Sequence, residues 1–225
     1  MPYSIMLDAG HGGRDPGAVY NGRQEKDDTL ALTLAVGEIL QDRGIDVMYT
    51  RTTDVYESPY QKAMEANAAG VDFFVSIHRT PLVYDKSGIK LEMAENINEQ
   101  LESVGFVNLG VKARPGLVVL RRTQMPAVLV EAGFINSDTD NQLFDDNFDD
   151  IALAIAEGIL GTLNTDSGSA PSGYTVQTGA FRNKANAERL EAELKELDFP
   201  ADIAEGDGLY RVTVGAFLSL DEAAD

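Results

Sequence analysis

Short apolar runs of strand length alternate, over the first ~165 residues, with stretches whose apolar positions recur at helical spacing, and that alternation restricts the fold to a mainly parallel sheet covered by helices. Residues 3–7 read as the first strand. A helix is predicted over residues 26–42, where Leu30, Ala31, Leu34, Ala35 and Ile39 fall at helical spacing and Gly44 supplies a stop. Residues 45–50 form the second strand. Ser58-Pro59 has the form of an N-cap followed by proline at the first helical position, and Gly70 ends that helix before the apolar run 73–77. Ile97, Leu101 and Val104 mark a further helix, residues 117–120 and 127–130 read as two short strands, and residues 149–163 form a last amphipathic helix. The class is α/β: a mixed, mainly parallel twisted sheet with helices on both faces, followed by a small α+β repeat module.

That module is visible as an internal repeat. Tyr174-Thr175-Val176-Gln177-Thr178-Gly179-Ala180-Phe181 recurs as Tyr210-Arg211-Val212-Thr213-Val214-Gly215-Ala216-Phe217, and Asn186-Ala187 is echoed by Glu222-Ala223. Each copy reads as a strand then a helix, and the second copy reaches Asp225 inside its expected helix, so the module is expected to be incomplete. Residues 165–173, rich in Ser, Gly, Asp and Pro, cannot bury an apolar face and read as a linker. The predicted organisation is a catalytic unit over 1–164, a linker over 165–173 and a repeat unit over 174–225. Strand alternation assigns at least half of Tyr174, Phe181, Tyr210 and Phe217 to core packing.

Eighteen basic against thirty-seven acidic residues give a net charge of −19, which opposes binding to nucleic acid and to anionic lipid. With no cysteine, thiolate ligands and disulfides are excluded, so a metal would need nitrogen and oxygen donors. Residues 1–4 lead into a strand without a basic segment or a cleavage site, and no apolar stretch reaches the ~18 residues of a membrane span. The expectation is a protein that neither spans a membrane nor carries a signal peptide.

Both histidines sit at the ends of apolar runs, His11 in Leu7-Asp8-Ala9-Gly10-His11-Gly12-Gly13 and His78 in Phe74-Val75-Ser76-Ile77-His78. Loops at the carboxyl ends of parallel strands share one crevice, so residues distant in sequence converge there. Glu25, from the loop over 20–24 or the first turn of the helix it precedes, can complete a three-ligand set with His11 and His78, leaving a fourth position for water as catalytic zinc sites do. Glu131 also ends a strand and could take a proton from that water and return it to a leaving amine. A glycine-cradled phosphate site is the competing reading, but Gly10, Gly12, Gly13 and Gly17 match neither a dinucleotide fingerprint nor a P-loop.

Taken in order, several stretches resemble the zinc-dependent N-acetylmuramoyl-L-alanine amidases that cleave peptidoglycan. They are Asp8-Ala9-Gly10-His11-Gly12-Gly13 with Asp15-Pro16-Gly17-Ala18, Gln24-Glu25-Lys26, Thr50-Arg51, Ala66-Asn67, Ser76-Ile77-His78 and the run from Pro126 through Glu131 to Asn136. The resemblance implies Zn2+ held by His11, Glu25 and His78, and Glu131 as catalytic acid or base. It also implies Arg121 as a substrate or oxyanion contact and Asn136 as a substrate contact. The repeat resembles the SPOR domain, which implies binding to peptidoglycan glycan strands. The order of the two resembles amidases that lyse the mother cell of spore formers, with phage endolysins second, and implies a bacterial or phage-encoded monomer acting on the cell wall. Two departures stand out: Arg79-Thr80-Pro81 and Gly88-Ile89-Lys90-Leu91 where relatives have Asn and a Gly-x-Glu-x segment, which bears on the peptide-binding wall, and Lys62 where many have arginine. A catalytically inactive wall-binding protein is the alternative that these departures leave open.

Overall fold

The computed structural model describes residues 3–79, 89–114, 116–164, 174–197, 199–206 and 208–217. Its first unit is built on four parallel strands in the order β4-β1-β5-β6: β1 (Ser4–Ala9), β4 (Asp46–Tyr49), β5 (Phe73–His78) and β6 (Ala127–Glu131). The chain leaves β1 through helix α1 (Glu25–Asp42) to reach β4 on one side, then crosses back through α2 (Pro59–Ala69) to reach β5 on the other. Right-handed crossovers in opposite directions put α1 and α2 on opposite faces of the sheet. They also open a crevice where the strand order reverses, between the carboxyl ends of β1 and β5.

Helix α3 (Ile89–Val104) and α6 (Phe148–Asn164) pack on each other, and α6 also packs on α1. Ile5, Leu7, Val36, Phe74, Ile77, Ile97, Ile151, Ile155 and Ile159 form the centre of this core. The expected start of α2 holds in detail: Ser58 accepts from the N–H of Gln61 at 3.3 Å while Gln61 Oε1 accepts from the N–H of Ser58 at 3.0 Å, and Gly70 adopts the left-handed conformation that ends the helix. No helix among the described residues is long and apolar enough to cross a membrane.

Four segments differ from expectation. Residues 117–120 are not a strand: Val118–Arg122 is a short helix, α4, packed against α2. A short apolar run carries no periodicity to separate strand from helix; the end of α4 is tied to α2 by Asn67, whose side chain donates to the Arg122 carbonyl at 2.8 Å and accepts from the Gln124 N–H at 2.7 Å. Residues 19–24 form a tight hairpin, β2 (Val19–Tyr20) and β3 (Arg23–Gln24), turned by Asn21 and Gly22 at φ 50° and 86°. Asp138–Asp146 is a further helix, α5, capped by Ser137. In the repeat unit an unforeseen strand, β8 (Ala201–Gly206), joins the two repeat strands β7 (Tyr174–Phe181) and β9 (Leu209–Phe217) in the antiparallel order β7-β9-β8, beside α7 (Lys184–Glu196). The expected helix of the second copy falls outside the described residues.

The repeat symmetry appears in the β7–β9 register, where Tyr174 faces Phe217 and Phe181 faces Tyr210. Phe181 is buried and Tyr210 half-buried. This unit sits on the first through Asp150, whose Oδ1 accepts from the N–H groups of Arg182 at 2.7 Å and Asn183 at 3.3 Å, and whose Oδ2 accepts from Asn186. Arg189 donates across the same seam to the Val104 carbonyl at 3.1 Å, at the C-terminal end of α3.

Candidate metal centre

His11, Glu25 and His78 converge at the crevice, with one ligand atom from each lying within 4.8 Å of the others. His11 follows β1 in a left-handed conformation, φ 62°, which turns its ring back over the strand ends. The Gly10 N–H donates to the Ile77 carbonyl at 3.0 Å and extends the β1–β5 pairing to the edge of the site. Glu25 opens α1, with its side chain wholly buried, and His78 closes β5. Glu25 Oε2 lies 3.2 Å from His11 Nε2, and Glu25 Oε1 lies 3.2 Å from His78 Nδ1. The imidazoles themselves meet edge to face, ring centroids 4.9 Å apart.

Such close approach requires glycine alongside. A Cβ on Gly17 would fall 2.6 Å from the His11 ring and 2.7 Å from Glu25 Oε2, and one on Gly10 would overlap the His78 ring.

Asp15 was not singled out as a site residue in the sequence, yet its Oδ2 lies 3.0 Å from His11 Nδ1 while Oδ1 accepts from the Gly17 N–H at 3.1 Å. The carboxylate thereby fixes Nδ1 as the protonated nitrogen and leaves Nε2 to face Glu25. Burial works to lower the His11 pKa, but the acceptors Glu25 and Asp15 outweigh it and hold the imidazole above its ordinary 6.5. For Glu25, burial works upward and is overcome by hydrogen bonds from both imidazoles and from the N–H groups of Arg79 at 2.9 Å and Ala18 at 2.9 Å. Its carboxyl stays well below the usual carboxylate range.

The donor set suits a divalent ion. Two imidazole nitrogens and one carboxylate are present, each imidazole 3.2 Å from a different oxygen of Glu25, and nitrogen and oxygen donors of these kinds are those zinc takes. An orienting carboxylate behind one imidazole is the usual outer support of such a centre.

Glu131 lies on β6 directly beside His78 in the parallel register. Register partners in adjacent parallel strands project to the same face. Leu129, two residues before Glu131 on the same strand, lines a cavity of about 290 Å³ with His11, Asp15, His78, Glu57 and residues 116–119 ahead of and within α4, whereas Glu131 itself is not among the lining residues. Arg121 is exposed on the last turn of α4, Asn136 is exposed ahead of α5, and neither of these two expected residues lines the cavity either.

Beneath the ligands lies a buried polar layer. Asp8 Oδ1 pairs with Lys62 Nζ at 2.7 Å and accepts from Thr50 Oγ1 at 2.7 Å, while Oδ2 accepts from Ser76 Oγ at 2.6 Å. Lys62 also donates to the Ala9 carbonyl at 2.7 Å, so this position holds a buried ion pair tied to the strand end that leads into His11. Arg51 donates to the carbonyls of Ala9 at 3.1 Å and Gly10 and Lys26, both at 2.9 Å, tying the His11 turn to the start of α1. Arg79 is fully buried and faces inward, so its side chain forms no wall of the cleft.

Residues 5–161 match the N-acetylmuramoyl-L-alanine amidase family, and residues 170–225 match the SPOR domain. This chain belongs to the N-acetylmuramoyl-L-alanine amidase family. Among its curated relatives are the sporulation-specific N-acetylmuramoyl-L-alanine amidase of Bacillus subtilis, 37% identical over 86% of this chain and 82% of that one, and the endolysin of Bacillus phage SPP1, 39% identical over 76% and 71%. The fold agrees. An N-acetylmuramoyl-L-alanine amidase from Clostridium difficile superposes with a TM-score of 0.67 at 28% identity, covering 74% of this chain and 99% of the other. The order of an amidase unit followed by a SPOR unit is that read from the sequence.

Proposed function

We propose that this amidase hydrolyses the amide between the lactyl group of N-acetylmuramic acid and L-alanine in peptidoglycan, with zinc held by His11, Glu25 and His78. The observation that carries the reading is the convergence of those three side chains at the strand-order reversal, with Glu131 in register beside His78. Bound there, zinc supplies a Lewis acid for the scissile carbonyl and lowers the pKa of water at the open position.

The chain's own groups do the rest. Asp15 holds His11 in the ligating tautomer, and the N–H groups of Arg79 and Ala18 keep Glu25 ionised. The Glu131 carboxylate takes a proton from the attacking water and delivers it to the departing nitrogen as the C–N bond breaks. The products are a lactyl carboxylic acid and a stem peptide with a free L-alanyl amine. Arg121 and Asn136, exposed outside the cavity, are suited to contacts with the extended polymer rather than with the reacting carbonyl. The SPOR unit attaches the enzyme to glycan strands, and the protein works as a monomer that reaches the wall when the cell lyses.

Purified peptidoglycan digested by the full chain, with metal content measured on the same sample, tests this. Release of peptides with new L-alanyl amino termini, abolished by chelation and restored by zinc, is the expected result. Sacculus binding without release on several peptidoglycan types would establish the inactive wall-binding alternative. Removing residues 166–225 is expected to weaken sacculus binding.

A further inference from the structure

The fully buried side chain of Arg79, one residue after His78, ties together the three segments that carry Glu25, His78 and Glu131. Its Nη1 donates to Asp28 Oδ2 at 2.6 Å, one helical turn after Glu25 on α1. Its Nε donates to the Ala132 carbonyl at 3.2 Å, one residue beyond Glu131. Its Nη2 donates to Asn141 Oδ1 at 2.9 Å, and the Asn141 amide donates in turn to the Ile135 carbonyl at 2.7 Å. The guanidinium lies 4.0 Å from the centroid of the Phe144 ring, which closes its outer side. The backbone N–H of the same residue donates to Glu25 Oε1.

Resting on the metal-hydrolase reading, we propose that Arg79 is a positioning residue that sets Glu25 against the Glu131–Ala132 segment. The argument is geometric. Glu25 comes from a helix and Glu131 from a strand end, and no main-chain ladder joins α1 to β6. A planar fork with donors in fixed directions can hold three acceptors from different elements at once, whereas an ammonium on a flexible stem cannot keep all three in place. Merely filling the space would not require donors directed at Asp28, Asn141 and the carbonyl after Glu131.

The experiment compares the wild-type full chain with Arg79→Lys and with Asn141→Leu, which removes one acceptor and leaves the arginine. Three readouts are taken: thermal midpoint, zinc affinity by competition with a chromogenic chelator, and kcat and KM on peptidoglycan fragments. For Arg79→Lys the expected result is a 10–100-fold loss in zinc affinity, in kcat or in both, the range typical of outer-shell partners, with KM changed less than threefold. Asn141→Leu should move the same quantities in the same direction by a smaller factor. If Arg79→Lys does not fold, Asn141→Leu alone decides. A variant that loses thermal stability yet keeps zinc affinity and kcat within twofold overturns the proposal and reduces Arg79 to a packing residue. Failure of the wild type to release L-alanyl peptides would instead refute the hydrolase reading, leaving the zinc comparison interpretable.

Discussion

The two units of the chain spend buried polar groups differently. In the amidase unit Asp8, Glu25, Thr29, Thr50, Arg51, Lys62, Ser76 and Arg79 are buried around the carboxyl ends of β1 and β5, while Asp150 is the described buried charge that lies instead at the seam. In the repeat unit the described buried polar residue is Asn186, and it lies at the seam, bonded to Asp150 and to Asn147. Elsewhere the core of that unit is apolar, with Phe181, Ala187, Leu209, Val212 and Val214. Desolvated charge is costly unless partnered, so its concentration in one place marks where geometry has to be held for chemistry. The seam asks only that two surfaces stay joined.

The contrast can be broken most severely at Glu131. Exchange of Glu131 for glutamine should lower turnover by about 10²–10⁴-fold, with zinc content and thermal midpoint close to wild type. Equal turnover would remove Glu131 from the chemistry.

The polar layer below the site should fail through stability instead. Lys62→Met leaves the Asp8 carboxylate buried without its cation and is expected to cost about 3–5 kcal/mol in denaturant unfolding. This pair has a pH signature. Burial would raise the Asp8 pKa, but Lys62 and the Ser76 hydroxyl outweigh it and hold it below the ordinary 3.8. The stability it contributes is therefore fully present above about pH 4 and is lost as the pH falls through the lowered value. In Lys62→Met burial is left to raise the Asp8 pKa, so the sign reverses: acidification protonates the uncompensated carboxylate and recovers part of the lost stability, which an acid-unfolding series on the chelated protein would reveal. An unshifted acid limb would show that Lys62 does not govern Asp8.

A smaller effect belongs to the orientation of His11. Asp15→Asn is expected to weaken zinc binding by about 10–100-fold, read by chelator competition. Because His11 is held above 6.5 in the metal-free protein, zinc binding should release a proton across and above that pH, and the release should shift to lower pH in the variant. Mildest for activity is the seam: Asp150→Ala leaves the Arg182 and Asn183 N–H groups short of an acceptor, costing about 1–3 kcal/mol in thermal unfolding while kcat on small fragments stays within twofold. A large loss of kcat would mean that the two units are not separable in function.

Much of the site was legible because its residues are placed by local signals. An apolar run ending in histidine announces a strand end, and the helical periodicity that begins after residue 26 puts Glu25 beside the first strand, so His11, Glu25, His78 and Glu131 are legible in the sequence. Asn21-Gly22 is a local hairpin signal, and the turn between β2 and β3 forms there. The apolar run 117–120 carried no periodicity to read, and the Asn67 clamp that ties the end of α4 to α2 is a tertiary contact. Arg79 and Lys62 were visible as departures from relatives, yet their direction was not, since a cation beside a strand end points outward or inward according to which carboxylates and carbonyls neighbouring elements bring.

The amino-acid order by itself determined the alternation of strands and helices, the repeat, the family and the donor types available to a metal, since these follow from periodicity and side-chain chemistry along one segment at a time. Only the tertiary structure decided that Asp15 orients His11, that Asp8 and Lys62 pair beneath it, that Arg79 bridges three segments and that Asp150 holds the seam. Each of those is a hydrogen bond or ion pair whose partners come from different elements, and a buried polar group takes its partner from whatever the fold brings within about 3 Å.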